Sequence, residues 1–413
     1  MNFLFLFIVV LSASFSNSYA GPIQILENEL IKNSFEYSTQ RESYDFSRKQ
    51  IADAYLELFP EIGYSQTHNF DPITQDVVFS SSVGASLDVI KTINSYAEIS
   101  KNITRSKMLD IENSIKIIEI KKKFRTSLLD LTLKHSVLNR YSNLLKIEKD
   151  NFLKIKKKFS VGAISKLDYF RSQNSIDDIS YTIQKLKTDF SNEKSTFIAN
   201  YKADEIQINE ILSSSKVSVD VVSKYLEKLN DQLNTADTKH SLEYKSANLK
   251  SNLRALEKYS AFYGYLPKVF ASANKDLRSE QTTYSMNFSF QLGTAVRDSS
   301  HFENAAYQLK TSSLETESLE RMDRLTNTTL KNRISITLEN LSYQLKLSER
   351  SKKIMDLSSD AYSNGKIDSS SYLADRKSFE RSAIEVINSL FEAKKLIVEA
   401  EAYLAIDSEG LFL

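Results

Sequence analysis

The chain of 413 residues contains 8 Gly and 4 Pro, where average usage of about 12% would place roughly 50, and so few helix breakers argue for long helices. Lys and Arg (54) balance Asp and Glu (53), leaving no basic surplus of the kind that phosphate neutralisation needs, which argues against nucleic acid as a partner. With no Cys there are no disulfides, thiolate metal sites or Cys nucleophiles.

In chain order, residues 1–20 read as a secretory signal peptide. An apolar run from Phe3 to Leu11 is followed by the small-residue site Ser18-Tyr19-Ala20 before Gly21. No later segment has about 18 consecutive apolar residues, so no transmembrane helix is expected. Entry into a membrane would therefore require strands closed into a barrel, because hydrocarbon cannot satisfy an open sheet edge.

Residues 21–218 and 219–413 read as two copies of one unit. Pro60 and Pro267 are 207 apart, Gly84 and Gly293 are 209 apart, and Gly162 and Gly365 are 203 apart. After Pro60, a hairpin is predicted over 61–87: a strand from Glu61 to Thr67, a polar connection from His68 to Asp76, then Val77 to Leu87 with period-two alternation. His68 is expected in an exposed loop. From Val89 to Phe159 a helix of roughly 107 Å is predicted at about 1.5 Å per residue, with an apolar stripe through Phe124, Leu128, Leu131, Leu138, Tyr141, Leu145, Phe152 and Ile155. His135 is expected on a face of this helix. After the turn at Gly162, Ile176, Ile179, Ile183, Leu186, Phe190 and Phe197 follow a heptad rule.

The second copy repeats the plan. Its hairpin, 268–292, pairs Lys268–Asn274 with a strand in which Tyr284, Met286, Phe288, Phe290 and Leu292 alternate with Ser285, Asn287, Ser289 and Gln291. Aromatics gather where helix hands over to strand, at Tyr55, Phe59 and Tyr64 and at Phe262, Tyr263 and Tyr265, as in an interfacial girdle. A Gly- and Pro-free run from 294 to 364 leads to Gly365, and Phe379, Ala383, Val386, Leu390, Ala393, Ile397, Ala400 and Leu404 step by four and three. Such seams are coiled-coil packing surfaces. Around the two turns Phe159-Ser160-Val161-Gly162-Ala163-Ile164-Ser165 faces Tyr362-Ser363-Asn364-Gly365-Lys366-Ile367-Asp368, and Tyr169 matches Tyr372 at the same offset.

The expected fold is mainly α with a membrane β-barrel portion: duplicated long coiled-coil helices plus four strands per protomer. Four strands cannot close a transmembrane barrel, whose smallest examples have eight, so several chains must contribute. The signal peptide, the duplicated helix-hairpin-helix unit with Pro before each hairpin, and the paired aromatic-Ser-x-Gly motif opening a heptad helix resemble the TolC-like outer-membrane efflux and secretion channels. The resemblance implies a homotrimer with one twelve-stranded outer-membrane barrel continuing into a periplasmic α-helical barrel. It implies a passive duct for efflux or type I secretion, with a periplasmic adaptor and an inner-membrane pump as partners and no cofactor.

It also implies that Val161, Gly162, Ala163, Asn364, Gly365 and Lys366 form the tip at which the adaptor docks. Asn364 stands where the family usually has Val. Tips of this family close by bonds between neighbouring coils, and Asp168 and Tyr362 fall on those positions. Ile367 replaces the usual Arg, and Ser371 and Ala374 replace the aperture aspartates, which leaves Asp368 and Asp375 as the nearest acidic substitutes. The alternative is a periplasmic coiled-coil scaffold or pump adaptor without a barrel, but that would need Gly-rich β-domains. No His pair has ligand spacing and no Gly-rich phosphate loop is present, so the sequence does not read as an enzyme.

Overall fold

The computed structural model describes residues 22–56, 61–70, 77–214, 218–236, 241–262, 268–276, 282–289 and 292–406. The proposed signal peptide, Pro60, Pro267, Phe59, Tyr263 and Tyr265 lie outside them. The elements in order are α1 (Pro22–Asn33), α2 (Phe35–Leu56), β1 (Glu61–Phe70), β2 (Val77–Asp88), α3 (Val89–Ser160), α4 (Lys166–Tyr201), α5 (Glu205–Ser214), α6 (Val219–Thr235), α7 (Leu242–Phe262), β3 (Lys268–Asp276), β4 (Thr282–Ser289), α8 (Leu292–Ser363) and α9 (Ser369–Leu404).

The duplication extends to helix lengths: α3 and α8 have 72 residues each, and α4 and α9 have 36 each. Both 36-residue helices end on a left-handed non-glycine residue, Lys202 (φ 51°) and Ala405 (φ 54°), again 203 apart. Three sequence expectations shift. His68 lies in β1, paired with Phe79, and not in a loop. β1 and β3 run on to Phe70 and Asp276, so the polar connections are shorter than their composition suggests. β4 ends at Ser289 and Leu292 opens α8, because a residue that fits the alternation can equally start a helix.

Two compact units interleave the repeats. The first takes its described residues from Met1–Ser38, Ile117–Ala236 and Asn327–Leu413, and the second from Thr39–Lys116 and Asp237–Thr326. In the first, the predicted seams form the core. Phe124, Leu128 and Leu131 of α3 pack with Phe197 and Tyr201 of α4, Leu226, Leu229 and Leu233 of α6, Ile334 and Leu341 of α8, and Ala393, Ile397, Ala400 and Leu404 of α9. The Phe124 ring meets Tyr201 edge-on, with centroids 4.9 Å apart. Toward the turns the core thins to a small cluster of Leu144, Ile179 and Ile183.

The second unit holds a four-stranded antiparallel sheet in the order β1-β2-β3-β4, so the hairpins of the two repeats lie side by side and β1 and β4 are its edges. Tyr64 pairs with Val83, Val83 with Lys275 and Lys275 with Thr282, which places Tyr64, Val83, Tyr284 and Met286 on one face. All four are exposed. Ser272 opposite Ser285 and Asn274 opposite Thr283 occupy the other face. The period of two is thus in phase across the sheet: Tyr64, Val83, Tyr284 and Met286 share one face, together with Lys275 and Thr282, and Ser272, Asn274, Thr283 and Ser285 share the other.

Candidate functional site

The ends of α3 and α8 close by the same pair of hydrogen bonds. Gly162 N–H donates to the Phe159 carbonyl (2.9 Å) and Ala163 N–H to that of Lys158 (2.8 Å); Gly365 N–H donates to Tyr362 (3.1 Å) and Lys366 N–H to Ala361 (2.8 Å). This Schellman closure needs one left-handed residue just past the helix, and φ is +72° at Gly162 and +68° at Gly365. A Cβ at either glycine would meet nothing within 4 Å. Backbone conformation, not crowding within the chain, therefore demands glycine at these positions.

Each following helix begins on a side-chain cap three residues after its glycine. Ser165 Oγ accepts the Asp168 N–H (3.0 Å) while its hydroxyl donates to the Asp168 carboxylate (2.7 Å). Asp368 accepts the Ser371 N–H (2.8 Å) and the Ser370 hydroxyl (3.0 Å). The Ser371 and Ser370 hydrogen bonds hold the Asp368 carboxyl below the usual aspartate range, with a smaller contribution from the charge of Arg171. Aromatic pairs tie each hairpin together: Phe159 stacks on Tyr169 (4.7 Å) and Tyr362 on Tyr372 (5.1 Å, rings 5° from parallel). Phe159 and Tyr362 are equivalent in the two repeats, as are Tyr169 and Tyr372. The Lys158 ammonium lies 5.0 Å from the Tyr362 ring centre and links one turn to the other.

All six predicted tip residues, Val161, Gly162, Ala163, Asn364, Gly365 and Lys366, are exposed, Val161 at 77%. Exposed Leu167 and Phe170 on the first turn of α4 extend this apolar surface. Within one chain, Asp168 is engaged by Ser165 and lies 3.9 Å from Arg171, whereas Tyr362 is engaged by Tyr372 and Lys158. Asp375 accepts a hydrogen bond from the Ser358 hydroxyl, and Asp368 serves as the cap of α9.

Four ion pairs that sequence reading missed run along the antiparallel helices α3 and α9. Arg125 meets Glu401 (3.2 Å), Asp130 meets Lys395 (2.9 Å), Arg140 meets Glu380 (2.7 Å) and Glu148 meets Arg376 (3.3 Å). The sign alternates along each helix, so a shift in register would bring like charges together. Arg125 and Glu401 are buried and further satisfied by Glu27 (2.6 Å) and the Tyr225 hydroxyl (2.6 Å). Glu148 and Arg376 are both buried, and Glu148 Oε2 has no hydrogen-bond partner. Burial raises the Glu148 pKa more than the charge of Arg376 lowers it. The equivalence of the turn aromatics between the repeats was visible in the 203-residue offset, but their stacking within each hairpin was not. The ion pairs were not, because each joins residues more than 220 positions apart.

No family model matches the chain, and no curated protein matches it by sequence. Solved structures do match its fold. The outer membrane protein VceC of Vibrio cholerae superposes with a TM-score of 0.72 at 10% identity, covering 92% of this chain and 96% of VceC. The CmeC outer membrane channel of Campylobacter jejuni gives 0.65 at 12% identity, over 94% and 86%. The MtrE outer membrane channel of Neisseria gonorrhoeae gives 0.65 at 11%, over 93% and 89%. The chain thus has the fold of the TolC-like outer-membrane channels, in agreement with the resemblance carried by its turn motifs.

Proposed function

We propose that the protein is a passive outer-membrane exit duct, a homotrimer whose three four-stranded sheets close one twelve-stranded barrel above a periplasmic α-helical barrel. The sheet carries this reading: Tyr64, Val83, Tyr284 and Met286 are exposed on one face, Ser and Asn residues of β3 and β4 lie on the other, and its two edge strands, β1 and β4, are left for identical sheets of further copies to pair. The paired exposed turns support docking by a periplasmic adaptor at Val161, Gly162, Ala163, Asn364, Gly365 and Lys366, with an inner-membrane pump supplying the energy of efflux or type I secretion. The fold shared with outer membrane channels supports the location.

In this reading Asp168 and Tyr362, with Asp368 and Asp375 nearby, form the aperture, where contacts between neighbouring coils hold the resting tip shut. Membrane fractionation followed by mass measurement in mild detergent tests the duct, which is expected as a trimer in the outer membrane; a soluble monomer overturns it. Gly365→Trp tests the docking site. The oligomer should persist while export is lost, because an indole would fill the open space beside the turn. Export at the wild-type level removes this assignment.

A further inference from the structure

α4 ends at Tyr201 and α2 begins at Phe35, and where these two ends meet the middle of α3 the first unit leaves a half-open groove of about 720 Å³. Tyr201 is buried, whereas Phe35 beside the groove is 79% exposed. Glu36 pairs with Lys123 in the wall, and the charge of Glu119 also acts on that lysine. Lys122 lines the same groove and has no ion-pair or hydrogen-bond partner among the described residues. A groove of this size that offers aromatic surface and one uncompensated ammonium suits an occupant that is both apolar and acidic.

The end of α9 lies beside the same lysine. After Leu404, Ala405 turns into the left-handed region and Ile406 N–H donates to the Glu401 carbonyl (3.0 Å), so the chain leaves the helix at a fixed point. Ile406, Arg125 and Lys122 border one small cavity of about 20 Å³, and Lys122 therefore stands between the exit of α9 and the groove. Residues 407–413 come next in the sequence and lie outside the described residues. Their order suits the path. Asp407, Ser408, Glu409 and Gly410 can span about 13 Å when extended, enough to cross a helix of about 10–12 Å, and they carry two carboxylates past Lys122. Leu411, Phe412 and Leu413 follow at the distance of the groove.

We infer that Leu411, Phe412 and Leu413 dock in the groove of their own chain, against Phe35 and Tyr201, with Asp407 and Glu409 facing Lys122. The contact ties the end of α9 to the start of α2 and the end of α4. It goes beyond the duct, because it concerns a single chain and holds whatever that chain transports. Tethering favours this occupant over a free apolar acid or the tail of another copy, since a short linker supplies an effective concentration of about millimolar.

The absence of Cys makes the test clean, since only introduced thiols react. Asn200, exposed at the groove, supplies one position. The full chain carrying Asn200→Cys with Phe412→Cys is purified in mild detergent and oxidised, and its remaining thiols are counted by the mass shift of a maleimide polymer on a denaturing gel. Both thiols should be lost in a chain that stays monomeric on that gel, and each single variant should keep its thiol. A covalent dimer of the double variant places the tail in another copy and overturns docking within one chain. Two thiols that stay free leave the groove to a different occupant and overturn the inference outright. Rates separate docking from mere reach. Lys122→Glu should slow formation of the disulfide at least fivefold, and adding Asp407→Lys with Glu409→Lys should restore it; Leu411→Ser with Leu413→Ser should slow it as much. Rates equal to that of the parent in all these variants overturn the docking. None of these readouts depends on oligomer or export, so the inference stands or falls apart from the duct.

Discussion

At the two turns, individual residues divide into those that set the backbone and those that carry charge. Gly365 belongs to the first group. Gly365→Ala should destabilise the α8–α9 hairpin by about 1–2 kcal/mol, because an L residue is disfavoured at φ +68°, and Gly365→Asn by less, because Asn tolerates that region. Denaturant unfolding followed by circular dichroism would register the order Gly, Asn, Ala. Asp368 and Glu148 belong to the second group and titrate with opposite sign. The Asp368 pKa is lowered, so its cap is fully effective above the ordinary aspartate pKa and is lost as pH falls through the lowered native value. The Glu148 pKa is raised, so between the unfolded and the native value the native state holds a proton that the unfolded chain has released. Its contribution to stability therefore declines as pH rises from about 4.3 into the raised range. Thermal unfolding of wild type and Glu148→Gln between about pH 4 and 8 should show the wild type losing ground to the variant as pH rises; a constant difference would mean that Glu148 titrates normally.

Between elements, register is the quantity that tertiary packing controls. Heptad seams alone allow α3 to slide along α9 by seven residues with little change in apolar contact. The alternating pairs from Arg125–Glu401 to Glu148–Arg376 oppose that slip. Arg376→Met leaves Glu148 buried without its counter-charge and should cost about 3–5 kcal/mol, whereas Arg376→Met combined with Glu148→Leu should recover most of the loss. Equilibrium unfolding of the two single variants and the double variant measures the coupling. Strictly additive effects would show that the pair does not act as a unit. The stacks of Phe159 on Tyr169 and Tyr362 on Tyr372 set register within each hairpin, at the end where the Leu144, Ile179 and Ile183 cluster leaves little other apolar contact.

For the whole molecule, the in-phase alternation of the sheet matters more than any one side chain. Met286 and Ser285 are adjacent and both exposed in the single chain, yet they lie on opposite faces of the sheet. In a barrel one faces lipid and the other the lumen. Met286→Lys should reduce the assembled trimer, by about 2–4 kcal/mol if the site lies near the membrane midplane, and Ser285→Lys should be tolerated. Detergent-resistant trimer in outer membranes is the measurement, and equal losses would refute the assigned faces.

By itself the sequence determined the long helices, the duplication, the strand alternation and both glycine turns. These depend on local steric rules and on periodicity within a single segment, and each can be read at Phe159–Ser165, Tyr362–Asp368 or Tyr284–Ser289. It did not determine how far each strand runs: His68 and Lys275 look like loop residues by polarity, but cross-strand pairing takes them into β1 and β3. Only the tertiary structure decided that the two repeats share both compact units, that β2 pairs with β3, and that Glu148 lies beside Arg376. Charge pairing at close range depends on which helices become neighbours, and a heptad seam does not encode its partner.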